Sequence, residues 1–181
     1  RVLSDPQKFK RWDWIEYQYT DPGHDGRKET QRVDPSSIKV IGRSSAAKES
    51  NSLNSMIVSS TNLAQERGDS LALIRPADFS ISARAKKPDK LRRETEKHKS
   101  AAAQESLLYN SVKPLIPCPL EFIVNWVDSD GVSHTNVCED WETSATYHRR
   151  IREGSTPDEA IAWIKEKYEV EFRDKGVAFA M

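Results

Sequence analysis

Apolar and polar positions alternate most regularly between Cys118 and Glu142. The first run, Leu120–Val127, is followed by Asp130-Gly131, and a second run over 132–138 leads into a helix. A period of two on either side of an Asp-Gly step predicts a β-hairpin. The same period appears in Trp12–Tyr19, where aromatics on both faces suit a strand covered in part on each side. Shorter strands are expected at 37–41, behind the turn residues Asp34-Pro35-Ser36, at 71–74 with Phe79–Ile81 continuing, and at 177–181.

Helical spacing is confined to three regions. Residues 44–70, rich in Ser, Asn and Ala, read either as a helix over about 46–65 or as a mobile insertion. Residues 84–110 form a basic helical segment starting near Pro88-Asp89. After the hairpin, Asp140 caps a helix with Trp141, Ala145, His148 and Ile151 on its core face, closed by Gly154. Thr156-Pro157-Asp158-Glu159 is a capping box that starts another, with Ala160, Ile161, Ile164 and Tyr168 turned inward.

Together these elements predict an α+β fold in a single domain over 1–181. Its centre is a curved, mainly antiparallel sheet or partial barrel, with two or three helices packed at one end. The chain opens on Arg1 and stops inside the apolar run Val177–Met181, the pattern of a chain incomplete at its termini.

Composition changes this picture little. The chain is 36% hydrophobic and 31% charged, yet five Trp, five Tyr and five Phe supply a core, so wholesale disorder is excluded. Two cysteines and no signal-like segment point to a reducing, cytoplasmic setting. No run reaches the ~18 apolar residues of a membrane span.

Candidate chemistry is mostly set aside by spacing. With the turn centred on Asp130-Gly131, Phe122, Val124 and Trp126 should share a face with Thr135 and Val137. His134, Asn136 and Cys138 should then join Ile123, Asn125 and Val127 on the other. His134 and Cys138, four apart on one strand, stand roughly 13 Å from each other, too far for one zinc. A nucleophilic Cys138 with His134 or His148 would have Glu139, Asp140 and Glu142 beside it, which oppose thiolate formation. A hydrolytic enzyme built on His134, Cys138 and these acids is therefore the third choice. No acid stands two residues before a lysine, as PD-(D/E)xK nucleases require, and phosphate-loop, nucleophile-elbow and HExxH motifs are absent. No catalytic residue, metal or cofactor is predicted.

Charge distribution carries the most information. Arg84–Lys99 holds eight Lys or Arg against three acids. Arg84, Lys86, Lys87, Lys90, Arg92 and Arg93 are its candidate contacts. Arg27, Lys28, Arg32 and Arg43 form a second group, and Arg149 and Arg150, with Arg152, a third. Gathered on one face, these would neutralise phosphates without reading sequence. The stretches ETQRVDPSSIKVIG and SLALIRPADFSI resemble uncharacterised bacterial OB-like or small β-barrel proteins associated with genome defence, which implies a nucleic-acid-associated barrel. The expected function is a non-enzymatic nucleic-acid-binding or adaptor module. The alternative is a protein-interaction subunit of a larger, defence-type complex, with the aromatics of Trp12–Tyr19 as its contact residues.

Overall fold

The computed structural model describes residues 7–27, 29–106 and 113–181. The fold is α+β, and its strands form several small sheets in place of the expected single curved sheet or partial barrel. The chain also divides into two compact units where one domain was expected: Arg1–Arg75 with Ala178–Met181, and Pro76–Val177.

In the first unit, β1 (Asp13–Glu16) pairs antiparallel with β4 (Lys39–Arg43), and β2 (Tyr19–Thr20) with β3 (Arg32–Val33). Asp34 caps a short 3₁₀ turn over Pro35–Ser37, so the strand expected at 37–41 begins two residues later and runs through Gly42. Trp12, at φ 71°, occupies a left-handed conformation that costs a bulky residue roughly 1–2 kcal/mol. Its carbonyl accepts Ser44 N–H at 2.8 Å, one rung beyond β1–β4. Residues 44–70 are neither one helix nor an unstructured insertion. Helix α1 (Ala46–Ser55) and helix α2 (Thr61–Glu66) flank β5 (Ile57–Val58), whose β-branched pair adds parallel to β6 (Leu73–Ile74). Ser45 and Ser60 cap the two helices, and Ser60 restarts the chain after β5. Strand β10 (Phe179–Ala180) pairs with the other edge of β6.

The second unit is built on an antiparallel sheet, β7 (Asp78–Ala85), β8 (Leu120–Val127) and β9 (Ser133–Val137), in that order. β7 extends past the expected Ile81 to Ala85, and the basic helix α3 (Pro88–Ser106) starts at Pro88, where Pro88-Asp89 placed it. Residues 107–110 of the expected helical segment lie outside the described residues. Phe79, Ile81, Phe122, Val124 and Trp126 share one buried face. α5 (Pro157–Glu166) and a π-helical turn (Lys167–Phe172) pack on β7, α4 (Trp141–Arg152) packs on α5, and α6 (Arg173–Lys175) continues the π-helical turn. Ala160 and Ile164 are buried on α5, and Thr156–Glu159 forms both hydrogen bonds of its capping box.

The hairpin register differs from expectation by one residue. Asp128 N–H bonds Val132 O and Gly131 N–H bonds Asp128 O, so Ser129–Gly131 is a three-residue loop with Gly131 at φ 78°. This is a type I turn closed by a left-handed glycine rather than a two-residue turn. The extra residue puts Trp126 opposite His134 and Val124 opposite Asn136. His134 and Asn136 therefore share the Trp126 face, and Thr135 and Val137 lie with Asn125 and Ile123.

Helix α4 is also rotated from expectation. Thr143 and Tyr147 are its buried residues, and Trp141 is 68% exposed. Thr143 wins the inward position because its hydroxyl lies within bonding distance of both Tyr168 (2.5 Å) and Cys138 (3.7 Å).

Candidate functional site

Most of the predicted phosphate contacts are already neutralised by local acids. Arg84 faces Glu121 across the β7–β8 ladder and lies 2.9 Å from its carboxylate, and Lys90 on the first turn of α3 reaches the other oxygen at 2.6 Å. Lys86 pairs with Glu94 (2.6 Å), Arg92 with Asp89 (3.0 Å), Arg43 with Asp13 (3.2 Å), Arg27 with Asp25 (2.5 Å) and Arg150 with Glu153 (3.4 Å). Arg32, Lys87, Arg93 and Arg149 have no ion-pair partner among the described residues. Lys28 lies outside them.

The Glu121 cluster carries a pH prediction. The hydrogen bond from Lys90 and then that from Arg84 hold its carboxyl below the ordinary glutamate range, and Glu121 raises Lys90 in return. A depressed folded value stabilises the fold above the unfolded value, about 4.3, and that contribution is lost as pH falls through the folded value. Wild-type protein should therefore lose more denaturant resistance than Glu121→Gln between pH 5 and 3. Parallel losses would contradict the assignment.

The hairpin histidine is held structurally. His134 stacks on Trp126, with centroids 4.2 Å apart and planes at 26°, and its Nε2 lies 3.2 Å from Asp128 Oδ2. Asn136 Oδ1 accepts Trp126 Nε1–H at 2.9 Å, and Asn125 Oδ1 accepts the Thr135 hydroxyl at 2.8 Å. Cys138 contacts Thr143, whereas Cys118 is buried, and burial pushes its thiol upward. Neither cysteine is brought to His134, and among the described residues no three His, Cys, Asp or Glu converge as a metal group.

What does converge is a cleft of about 650 Å³ between α4, α5 and the π-helical turn. Trp141, Ala145, Arg149 and Arg152 line one wall, following the helix at steps of four, four and three. Trp163 of α5 stands on the opposite wall between Arg150 (5.5 Å from the ring centre) and Lys167 (5.7 Å). Lys167 also lies 5.6 Å from Phe172 and pairs with Glu171, which Lys175 holds as well. At the far end Tyr168 donates to Asp140 at 2.8 Å, and burial drives its hydroxyl far above the ordinary tyrosine range. Arg149 and Arg152 have no ion-pair partner among the described residues and both are exposed. The cleft thus runs from an acidic cap at Asp140 and Glu142 to a cationic end, with indole rings between.

Spacing assigned Trp141 and Ala145 to the core, so the cleft was hidden in the sequence. Its one legible sign was the Arg149, Arg150, Arg152 cluster beside two tryptophans. A groove of about 700 Å³ in the first unit, lined by Tyr17, Tyr19 and Arg32, is more open and offers a single cation. Chemistry rather than volume favours the α4–α5 cleft.

A family model described as Domain of unknown function (DUF8757) matches residues 49–181, and one described as Domain of unknown function (DUF8758) matches residues 1–59. No curated protein and no solved structure matches the chain. The seam between the two matches falls within α1 and β5, inside the first compact unit rather than at its border. No helix among the described residues is long and apolar enough to cross a membrane.

Proposed function

We propose, for a chain that belongs to the family described as Domain of unknown function (DUF8757), that the α4–α5 cleft binds the phosphate chain of a single-stranded nucleic acid without catalysis. The observation that carries this reading is the pair Arg149 and Arg152, two exposed guanidiniums with no ion-pair partner among the described residues, beside the indoles of Trp141 and Trp163. Cations that follow a backbone beside aromatic platforms suit stacked, unpaired bases. The basic segment leading into helix α3 becomes secondary, because Lys86, Lys90, Arg92 and Lys99 answer their own acids, and among the described residues Lys87, Arg93 and Lys97 are left without an ion pair.

Fluorescence anisotropy of a labelled single-stranded thymidine 20-mer across a salt series tests this. Affinity should fall linearly on a log–log plot. Arg149→Gln with Arg152→Gln should reduce the slope by about 1.4, two single-strand phosphate contacts. Salt-independent binding, or an unchanged slope in the double variant, would overturn the proposal.

A second reading rests on Trp14 (55% exposed), Tyr19 (57%) and Ile41 (62%) in the first unit. Large apolar side chains on two short ribbons fit a protein-contact surface of the adaptor kind.

A further inference from the structure

The two edges of the β7–β8–β9 sheet are treated differently. On β7, the ladder rung Lys86 N–H to Pro119 O sets the alternation, so Phe79 and Ile81 direct their main-chain groups outward. Both are answered by side chains: Glu169 accepts Ile81 N–H at 2.7 Å, and Arg173 donates to Phe79 O. The Phe79–Ile81 end of that edge is thus covered by side chains.

On β9 the rungs Asp128 N–H to Val132 O and Cys138 N–H to Phe122 O fix the opposite alternation. His134 and Asn136 bond inward to β8, and Ser133, Thr135 and Val137 point their N–H and C=O groups away from the sheet. All three residues are exposed, and no strand pairs with this edge among the described residues. Edge strands are commonly guarded by lysine, proline or a bulge. β9 reads Ser-His-Thr-Asn-Val and has none of these. The neighbouring face stays low, with Ser80 and Ser82 on β7 and Asn125 on β8.

The surroundings of this edge are acidic. Asp130 stands at the turn end and Glu139 at the other, both exposed, and no Lys or Arg occurs from Leu120 to Glu142. Self-pairing of two β9 strands in antiparallel register would set Asp130 of each copy against Glu139 and Asp140 of the other. Like charges so placed oppose a homodimer. We infer that the β9 edge accepts an extended segment of a partner protein as a fourth strand, with Lys or Arg flanking a short uncharged core. Main-chain bonds to Ser133, Thr135 and Val137 would supply affinity, and Asp130 and Glu139 would select the basic flanks. This surface is separate from the α4–α5 cleft and does not depend on it.

The test uses the full chain, isotope-labelled for NMR, and two synthetic peptides, Lys-Thr-Val-Thr-Val-Thr-Lys and its Glu-flanked counterpart. The Lys-flanked peptide should bind about tenfold more tightly at low salt, where opposite charges attract. It should also shift and protect the amides of Ser133, Thr135 and Val137 more than those of His134 and Asn136. N-methylation of alternate peptide bonds on its pairing edge should abolish binding while the protein stays unaltered. Thr135→Pro should do the same, since the Thr135 N–H serves no internal ladder bond. Asp130→Lys with Glu139→Lys should reverse the peptide preference.

Equal binding of the two peptides, or retained binding of the N-methylated one, would overturn the inference. So would concentration-dependent protection of Thr135 without peptide, which would assign the edge to a second copy. Loss of this binding leaves the oligonucleotide assay unaffected, so the two proposals fail separately.

Discussion

Trp126→Ala is expected to lower the unfolding free energy of the unit spanning residues 76–177 by about 4 kcal/mol, within the range for buried tryptophan truncation. Trp126 is 2% exposed at the centre of β8, between Phe79 on β7 and His134 on β9. Alanine would remove the indole from the sheet's buried face, leave His134 without its stacking partner, and free Asn136 Oδ1 of its donor. The surrounding ladder is continuous on both sides, so the sheet cannot collapse to fill the space. Trp126→Phe retains the ring contacts and should cost roughly half as much. Denaturant unfolding followed by near-UV circular dichroism measures both. A loss under about 1 kcal/mol for alanine would mean that the row across Phe79, Trp126 and His134 does not hold the sheet together.

The second large effect is at Asp128. Its carboxylate is 1% exposed as a residue and accepts Asp130 N–H at 3.1 Å, Val132 N–H at 3.0 Å and the His134 ring at 3.2 Å. Asp128→Ala strands buried donors at the point that defines the hairpin register, and should cost about 3 kcal/mol. Asp128→Asn keeps an oxygen for the two backbone donors and loses only the charged bond to His134, so about 1 kcal/mol is expected. The variants should also differ in hydrogen exchange. Alanine at 128 should expose the amides of Val132 and His134, whereas asparagine should leave them protected. Equal stability of the two variants would show that the turn is held by Gly131 and Val132 alone.

Local signals were legible where one physical rule acted without competition. Leu120–Val127 shows its burial in its alternation, and Thr156–Glu159 shows its helix start in its capping chemistry. The register of the hairpin was not legible, because Asp130-Gly131 also satisfies a type I turn in which only the glycine is left-handed. A one-residue change in loop length exchanged the faces of β9 and moved His134 next to Trp126. The rotation of α4 was hidden for a related reason: Thr143 is polar in the sequence and buried in the fold, because Tyr168, 25 residues later, offers it a hydrogen bond. The basic clusters were legible as charge but not as free charge, since their neutralisation depends on ladder partners such as Glu121. What spacing marked as a phosphate surface is largely a set of closed ion pairs.

Strand β10 gives the chain a temporal order. Phe179 and Ala180 pair with Ile74 and Leu73, and Met181 exchanges two backbone bonds with Ala72. Along the chain the second unit is therefore an insertion of roughly a hundred residues between two neighbouring strands of the first. During synthesis β6 emerges long before its last partner. The region from β7 to α6 has all its strands and helices contiguous and can close on itself while β6 still waits. The earlier unit is thus completed after the later one, and until Phe179–Met181 arrive one side of β6 remains an unsatisfied edge.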